Sequence, residues 1–205
     1  MISDTTLIRL SLKDMDWATA LLTEAFLNEP PIPHLFHEPH KKKQATYFMR
    51  CSCAYALLFG EAYTDQERNG AALWLLPNNT AMTPGRMYKA GMLSAPFTLG
   101  LSTFGRFMGF AGHTDKLHKQ AAPMPHYYLF ALGVKPSAQG KGIGGNLIKG
   151  MLQRIDHEKM PTYLETQNEN NVSLYQKFGF ELAAQGEFPK LEGLCNYGML
   201  RKAVT

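Results

Sequence analysis

Apolar residues recur along the chain at two spacings, which predict helices and strands in a mixed order. Over 141–158 they repeat every three to four positions, and this period predicts an amphipathic helix. Apolar runs predict strands around it, at 126–134, 161–165, 180–187 and 194–202, and a short helix at 171–178 stops at Gly179. Elements in this order predict an α/β or α+β fold.

The N-terminal half continues the alternation as far as residue 76. The predicted elements are a strand at 6–10, a helix from a cap at Asp14 or Asp16 through 25, a loop at the prolines 30, 31 and 33, a helix at 39–59, and strands at 61–65 and 71–76 joined by an Asn69-Gly70 turn. Residues 77–125 predict a helical insertion of two irregular helices, whose apolar surface suits a core, a substrate wall or an interface. No repeat or linker is visible, so residues 1–205 are predicted to form one domain.

Composition is ordinary for a globular protein and adds only a mild positive charge. Hydrophobic residues make up 45% and charged residues 19% of the chain, and the formal net charge is +4. This charge favours an anionic ligand but is too weak to indicate nucleic acid. The run Lys41-Lys42-Lys43 is better explained as a solvated helix start than as a nucleic-acid patch.

Cysteine content and the N-terminal residues bear on the compartment. The cysteines are odd in number, and Cys51 and Cys53 would point to different sides of a helix, so neither a disulfide framework nor a paired metal site is predicted. The N-terminus has no cationic segment followed by an apolar run, and no stretch approaches the ~18 apolar residues of a membrane span. A cytoplasmic protein without a membrane partner is therefore predicted.

The segment 134–145 has the strongest chemical signal. A strand ends at Val134, a glycine-rich turn follows at 139–145, and a helix begins. The first turn of a helix presents free N–H groups and the positive end of the helix dipole, and glycines let an anion approach the backbone. The turn is therefore predicted to bind phosphate groups.

Two familiar phosphate motifs fit this turn poorly. A P-loop needs Lys and then Ser or Thr after its last glycine, whereas Asn146 follows Gly145 here. The spacing of a dinucleotide-binding fingerprint is present, and Glu165 ends the next strand where a ribose-binding acid can lie. However, Val134 and Gly140 are separated by several residues that include a proline, and too little chain follows Glu165 for further strand–helix–strand units.

Residues 126–182 resemble the GCN5-related N-acetyltransferase superfamily. The strand 126–134 and Pro136 precede a loop with Gln139, Gly142 and Gly144 at the family's spacing, and a later block has Asn171, Leu174-Tyr175 and Gly179-Phe180. The arrangement looks most similar to the puromycin N-acetyltransferase-like branch. The resemblance implies a mixed, twisted sheet of about six or seven strands flanked by helices, and acetyl-coenzyme A as the acetyl donor.

The resemblance also implies where the donor binds. In this family the strand before the glycine loop parts from the next strand, and the pantetheine arm pairs with the backbone in the gap. Gly133, a glycine within a strand, agrees with a bulge or a close approach of another backbone. The implied binding residues are Leu132, Gly133, Val134, Gln139, Gly140, Lys141, Gly142, Ile143, Gly144, Gly145 and Asn171, although Asn171 suits a plain helix cap equally well.

Tyr175 occupies the position of the family's usual general acid, which protonates the departing thiolate. Glu165 is the best candidate for the base that deprotonates the amine, with a water relay as the alternative. His126 is better explained as a satisfied strand-edge histidine than as a base. The histidines at 34, 37 and 40 are better explained as loop residues than as metal ligands, and no metal is predicted.

The acceptor pocket is the least specific part of the resemblance. Family geometry implies Asn28, Glu29, Phe36 and Trp74 as its lining, although Trp74 also suits the core. The predicted function is acetyl transfer to a primary amine, with a small molecule as the expected acceptor. A protein lysine or N-terminus, and a coenzyme A-binding module without turnover, are the alternatives, and a homodimer is left open.

Overall fold

The predicted strands form one seven-stranded sheet in the computed structural model, which describes residues 7–204. The order across the sheet is β1-β2-β3-β4-β5-β7-β6, and only β4 and β5 run parallel to each other. This confirms the predicted mixed sheet. The strands are β1 (Ile8–Arg9), β2 (Gly60–Thr64), β3 (Gly70–Leu75), β4 (Tyr127–Val134), β5 (Thr162–Thr166), β6 (Glu181–Glu187) and β7 (Cys195–Arg201).

Helices cover both faces of this sheet. Short 3-10 turns at Leu12–Asp14, Met92–Ser94 and Pro136–Ala138 accompany them. The α-helices are α1 (Met15–Phe26), α2 (Pro31–Leu35), α3 (Lys41–Phe59), α4 (Pro84–Lys89), α5 (Ala95–Leu99), α6 (Leu101–Ala121), α7 (Ile143–His157) and α8 (Glu169–Gln176). In the described part of the chain, no helix combines the length and the apolar character needed to cross a bilayer.

The two faces of the sheet bury separate apolar clusters because side chains alternate along each strand. In β4, Tyr128 belongs to the cluster under α1 and α3, whereas Tyr127 belongs to the cluster under α7. The helix α7 contributes the apolar side that its period predicted, with Leu147, Ile148, Met151 and Ile155 buried against the sheet. Burying each such side chain stabilises the fold by about 1.5–3 kcal/mol.

Two turn predictions in the N-terminal half are wrong in detail. The prolines at 30, 31 and 33 do not keep the chain in a loop, because proline is tolerated in the first turn of a helix and α2 starts at Pro31. Gly70 is not a hairpin turn residue but the first residue of β3. The carboxylate of Asp65 accepts the N–H groups of Asn69 at 2.8 Å and Gly70 at 2.7 Å, which closes a longer connection. Thr6, in the first predicted strand, lies outside the described residues.

The insertion at 77–125 is helical, as predicted, but more regular than expected. It contains three α-helices and a 3-10 turn within the described residues, and α6 alone runs for 21 residues. The helix α6 packs on β6 and β7, where the Phe110 ring stacks on Phe188 at 4.7 Å. The insertion therefore covers the C-terminal strands on the α1 side of the sheet.

Candidate active site

The strands β4 and β5 are paired only along the first part of β4 and separate after Leu129. Their parallel pairing runs from Tyr127↔Thr162 to Leu129↔Leu164 and is not recorded beyond that point, although β4 continues to Val134. On its other edge β4 stays paired with β3 as far as Gly70↔Val134. The second half of β4 therefore has one edge that lacks a neighbouring strand, and its backbone donors and acceptors there are open to a ligand.

The irregularity in β4 lies at Phe130 and not at Gly133. The register between β3 and β4 shifts between Leu73 and Trp74, and Phe130 is the residue left without a partner. Gly133 instead marks a close approach of α1, because a Cβ atom there would lie 2.7 Å from Cδ2 of Leu22. The bulge coincides with the place where β4 and β5 separate.

The glycine loop lies at the open end of this gap. After β4 the chain makes the 3-10 turn Pro136–Ala138, and Gly140 and Gly142 adopt φ angles of 78° and 79°. These angles belong to the left-handed region, which favours glycine. The side-chain amide of Gln139 donates to the carbonyl of Val134 at 3.2 Å and folds the loop back on the strand.

The loop is open to solvent and free of negative charge. A Cβ atom at Gly140 or Gly142 would meet no atom within 4 Å. The first turn of α7 contains no acidic residue, so its N–H groups and the helix dipole face outward without a carboxylate to compensate them. A Cβ atom at Gly144 would lie 3.6 Å from the side chains of Leu132 and Val134, which places the start of α7 against the free half of β4.

Tyr175 lies near the end of α8 with its ring buried and its hydroxyl uncommitted. The ring packs edge-on against Phe180 at 6.1 Å. Among residues 7–204, the hydroxyl of Tyr175 forms no hydrogen bond, and its oxygen retains some solvent exposure. Burial, with the charge of Glu29 as a second cause, raises the pKa of Tyr175 to about 12, so the phenol keeps its proton at neutral pH.

Asn171 is not the cap of α8. The helix begins at Glu169, and its cap is Asn168, whose side-chain oxygen accepts the N–H of Asn170 at 3.2 Å. Asn171 is half-buried, and its amide donates to the hydroxyl of Thr166 at 3.4 Å, at the end of β5. Of the two interpretations left open for Asn171, the cap is therefore excluded.

Glu165 holds its carboxylate within a set of three donors. The hydroxyl of Tyr128 donates to it at 2.5 Å, the amide of Asn196 at 2.9 Å, and the hydroxyl of Tyr163 at 3.4 Å. Burial raises the pKa of Glu165, and these donors partly offset that effect because they stabilise the charged form. The carboxyl group is thus oriented and primed to take up a proton.

Two histidines, His118 of the insertion and His126 directly before β4, pack against this cluster. The His118 ring stacks on Tyr163 at 4.3 Å, and its Nε2 lies 2.7 Å from Nε2 of His126. Nδ1 of His126 donates to the carbonyl of Met124 at 2.6 Å, so in the neutral pair Nε2 of His118 is the donor between the rings. Burial lowers the pKa of His118 to about 4, with His126 as a second cause, and burial also lowers the pKa of His126.

Glu29 and Asn28 follow α1 near the same gap. The carboxylate of Glu29 accepts from the side chain of Asn168 at 3.3 Å, which joins the end of α1 to the start of α8. Asn28 is exposed. Contact of Asn28 and Glu29 with an acceptor stays a prediction.

The other two acceptor-pocket residues require correction. Phe36 and Trp74 are both 0% exposed, so neither can line an open pocket. Phe36 belongs to the core under α1, and Trp74 to the core under α7.

The prediction that His34 lies in a loop is also wrong, because this residue belongs to α2. Among the residues described, no group of three or more potential metal ligands is found.

Sequence reasoning missed Tyr128, Tyr163, Asn196 and His118. The alternation of β5 puts Tyr163 on the same face as Glu165 and could have found that residue. The contributions of β7 and α6 depend on tertiary packing, for which the chain has no local pattern.

Comparison with known proteins identifies relatives of the chain by sequence and by fold. The family model described as "Acetyltransferase (GNAT) family" matches residues 57–180, more than half of the chain. An uncharacterised N-acetyltransferase of Schizosaccharomyces pombe is 26% identical over 179 residues, which cover 84% of this chain and 72% of that protein. A mycothiol acetyltransferase of Paenarthrobacter aurescens is 33% identical over 88 residues, 41% of this chain and only 27% of that protein.

Among solved structures, one titled "histone acetyltransferase HPA2 and related acetyltransferase", from Corynebacterium glutamicum, superposes with a TM-score of 0.67. The sequences are 20% identical, and the match covers 98% of this chain and 97% of the other. At this identity the likeness concerns the fold alone, and it confirms the predicted architecture.

Proposed function

Because the chain belongs to the acetyltransferase (GNAT) family, we propose that it transfers the acetyl group of acetyl-coenzyme A to a primary amine of a small molecule. The family membership confirms the predicted enzyme class. The observation that carries the finer proposal is the gap between β4 and β5 with a carboxylate-free glycine loop at its mouth.

The gap and the loop fit the two polar parts of the donor. The free edge of β4, at Leu132 and Val134 on either side of Gly133, offers backbone groups to the amides of a pantetheine arm. The N–H groups of the loop from Gln139 to Gly145 suit a pyrophosphate, and the open space beside Gly140 and Gly142 leaves room for it. Asn171 of α8, half-buried and bonded to Thr166 at the end of β5, is proposed to contact the arm between them.

The donor supplies an activated acetyl thioester when it is bound, and the chain supplies the proton transfers. Glu165 takes a proton from the substrate ammonium, directly or through a water molecule, and so frees the amine nitrogen to attack the acetyl carbon. As the carbon–sulfur bond breaks, Tyr175 donates its proton to the sulfur. The nitrogen then loses its second proton through water, and this proton returns the tyrosinate to a phenol. The raised pKa of each group favours these roles, since Tyr175 remains an acid and Glu165 binds a proton readily.

Glu165 and Tyr175 lie on opposite faces of the sheet. Glu165 shares the face of Tyr163 under α6, whereas Tyr175 belongs to the apolar cluster under α7. A gap in the sheet between them would let a base on one face act on the incoming amine while an acid on the other face acts on the outgoing sulfur of the same acetyl carbon. Direct transfer needs this arrangement, because the base acts on the incoming amine and the acid on the outgoing sulfur.

The surroundings suit a small cationic acceptor. Glu29 and Glu165 supply negative charge, and Phe110 and His113 of α6 pack on Phe188 of the β6–β7 connection. We propose that α6 forms a wall of the acceptor pocket, which narrows it for a small molecule. The mycothiol acetyltransferases are named for a small molecule, which supports this acceptor class over a protein amine. Membership of the puromycin N-acetyltransferase-like branch stays a prediction.

The proposal is tested with acetyl-coenzyme A and a panel of amines, with release of free thiol as the readout. The panel contains polyamines, arylalkylamines, aminoglycosides, amino-sugar conjugates, and lysine-containing and N-terminal peptides. The expected result is turnover of a small amine that Tyr175→Phe slows about hundredfold, while the affinity for coenzyme A is retained. Tight cofactor binding with no turnover on the whole panel would favour the binding module, and turnover of peptides alone would favour a protein acceptor.

A further inference from the structure

A group of large apolar side chains in the insertion faces solvent. These residues, called the apolar patch below, are Tyr88, Leu93, Phe97 and Leu101, which are 66%, 61%, 91% and 80% exposed. Single exposed apolar side chains are common in folded proteins, but four large ones within fourteen residues of chain indicate an interaction surface. Phe97 exposes almost its whole ring, which would be unfavourable in water without a partner.

The backbone holds the apolar patch outward. The 3-10 turn Met92–Ser94 runs directly into α5, and Leu93 and Phe97 are four residues apart on one side of this helical segment. Ala95 and Leu99 lie on its other side and are buried in the core. Gly100, with a φ of 79°, turns the chain, and Leu101 then starts α6 with its side chain again exposed. Both sides of the segment are therefore apolar, and only one is covered.

Positive charge surrounds the apolar patch. Within residues 77–114 the sequence has no acidic residue, and its charged residues there are Arg86, Lys89 and Arg106. The first turn of α3 adds Lys41, Lys42 and Lys43. This turn lies beside α5, because the amide of Gln44 donates to the carbonyl of Leu99 at 2.9 Å and the hydroxyl of Tyr47 donates to the carbonyl of Gly91 at 3.0 Å.

The fold does not use these lysines. Lysine near the N-terminus of a helix opposes the helix dipole and destabilises it slightly, and α3 has no acidic residue in its first turn. In the described part of the chain, none of Lys41, Lys42 and Lys43 forms an ion pair. The nearest carboxylate in the sequence before them is the single Glu38. The charge is better explained by a partner than by folding.

We propose that the apolar patch and its basic surroundings rest on an anionic lipid surface. Aromatic and leucine side chains insert at the boundary between headgroups and acyl chains, and flanking lysines attract anionic headgroups. A second copy of the chain is disfavoured as the partner, because a two-fold contact would bring two sets of lysines together without carboxylates to pair them. The contact is peripheral, and it departs from the sequence-based expectation of a protein without a membrane partner.

The test is flotation of the full chain with vesicles of phosphatidylcholine alone or mixed with phosphatidylglycerol. We expect retention on the anionic vesicles only, lost at about 1 M salt because screening weakens the attraction. Phe97→Ser with Leu101→Ser, and separately Lys42→Glu with Lys43→Glu, should each weaken retention at least about tenfold. Leu12→Ser and Lys13→Glu change exposed residues elsewhere and should bind as the unmodified protein does.

Three results would overturn the proposal. They are failure to float with anionic vesicles, equal retention on neutral vesicles, and a dimer that dissociates in the Phe97→Ser/Leu101→Ser variant without any vesicle binding. Circular dichroism checks that each variant folds. If the serine variant does not fold, the conservative Phe97→Trp keeps the test open. Its fluorescence should shift to shorter wavelength with anionic vesicles, and an unchanged spectrum would refute the contact.

Discussion

Replacing Glu165 by Gln should lower activity and raise stability at neutral pH. The carboxylate accepts three hydrogen bonds, at 2.5, 2.9 and 3.4 Å, yet burial still raises its pKa above that of a free glutamate. The net direction means that the folded protein disfavours the charged form in spite of its donors. Glutamine keeps the size and an acceptor oxygen but has no charge and cannot take a proton.

The sign of the stability change follows from proton linkage. Because the pKa of Glu165 is higher in the folded protein, the folded state binds more protons than the unfolded state between the two pKa values. The free energy of unfolding therefore falls as pH rises through this window and stays lower above it. Each unit of elevation corresponds to about 1.4 kcal/mol. Glutamine removes this penalty. The free energy of unfolding of the variant should therefore increase relative to that of the unmodified protein as pH rises from about 4 to 7.

The activity change is measured as kcat/KM for an accepted amine by thiol release across the pH range. Loss of a general base costs about 10²–10⁴-fold, and the acidic limb of the pH profile should disappear with it. Urea unfolding at several pH values gives the stability arm, and Glu24→Gln, an exposed position on α1, is the matched control. Unchanged kcat/KM would remove Glu165 from the mechanism, and lower stability at neutral pH would contradict the electrostatic reasoning.

The remaining predictions concern the acid, the loop and the histidine pair. Tyr175→Phe should lower kcat about hundredfold and leave the calorimetric affinity for coenzyme A unchanged, and weaker binding would make Tyr175 a cofactor contact instead. Gly142→Ala should weaken the affinity for coenzyme A about tenfold, because a φ of 79° strains alanine. Gly144→Ala is the control and should bind coenzyme A normally, because there is room for a methyl group at that position. Equal affinities of the two variants would refute the assignment of the loop to the cofactor. Because the pKa of His118 is about 4 in the folded protein, the free energy of unfolding should fall by up to about 3 kcal/mol as pH falls from about 6.5 to 4. His118→Phe should therefore make the free energy of unfolding in urea depend less on pH. An identical slope in the variant and the unmodified protein would contradict this.

The C-terminal half of the fold could be predicted from the sequence because its signals are local. The period of α7, the glycines before it and the alternation of β4 each depend on residues adjacent in the chain. The loop 139–145 and Tyr175 could be named for the same reason, since short motifs mark both. Helix ends were less certain: Asn168, not Asn171, caps α8, because several neighbouring asparagines can accept the same backbone N–H groups.

The surroundings of Glu165 could not be predicted, because they come from distant segments. Tyr128, Asn196 and His118 belong to β4, β7 and α6, and they meet only when the sheet is assembled and the insertion folds over it. Burial of Phe36 and Trp74 has the same origin. An aromatic residue near a candidate pocket can face the pocket or the core, and tertiary packing decides between them.

The helix α6 runs from the apolar patch to the Glu165 cluster, but the effects of mutations at these two sites should be separable. At a rise of about 1.5 Å per residue, Leu101 at its start lies about 26 Å from His118, which packs beside the Glu165 cluster. A small amine at Glu165 cannot reach the apolar patch over that distance. The Phe97→Ser/Leu101→Ser variant should therefore lose vesicle binding while it keeps the kcat/KM of the unmodified protein for a soluble amine. A parallel fall in both, in a folded variant, would mean that the patch belongs to the acceptor site and not to a lipid contact.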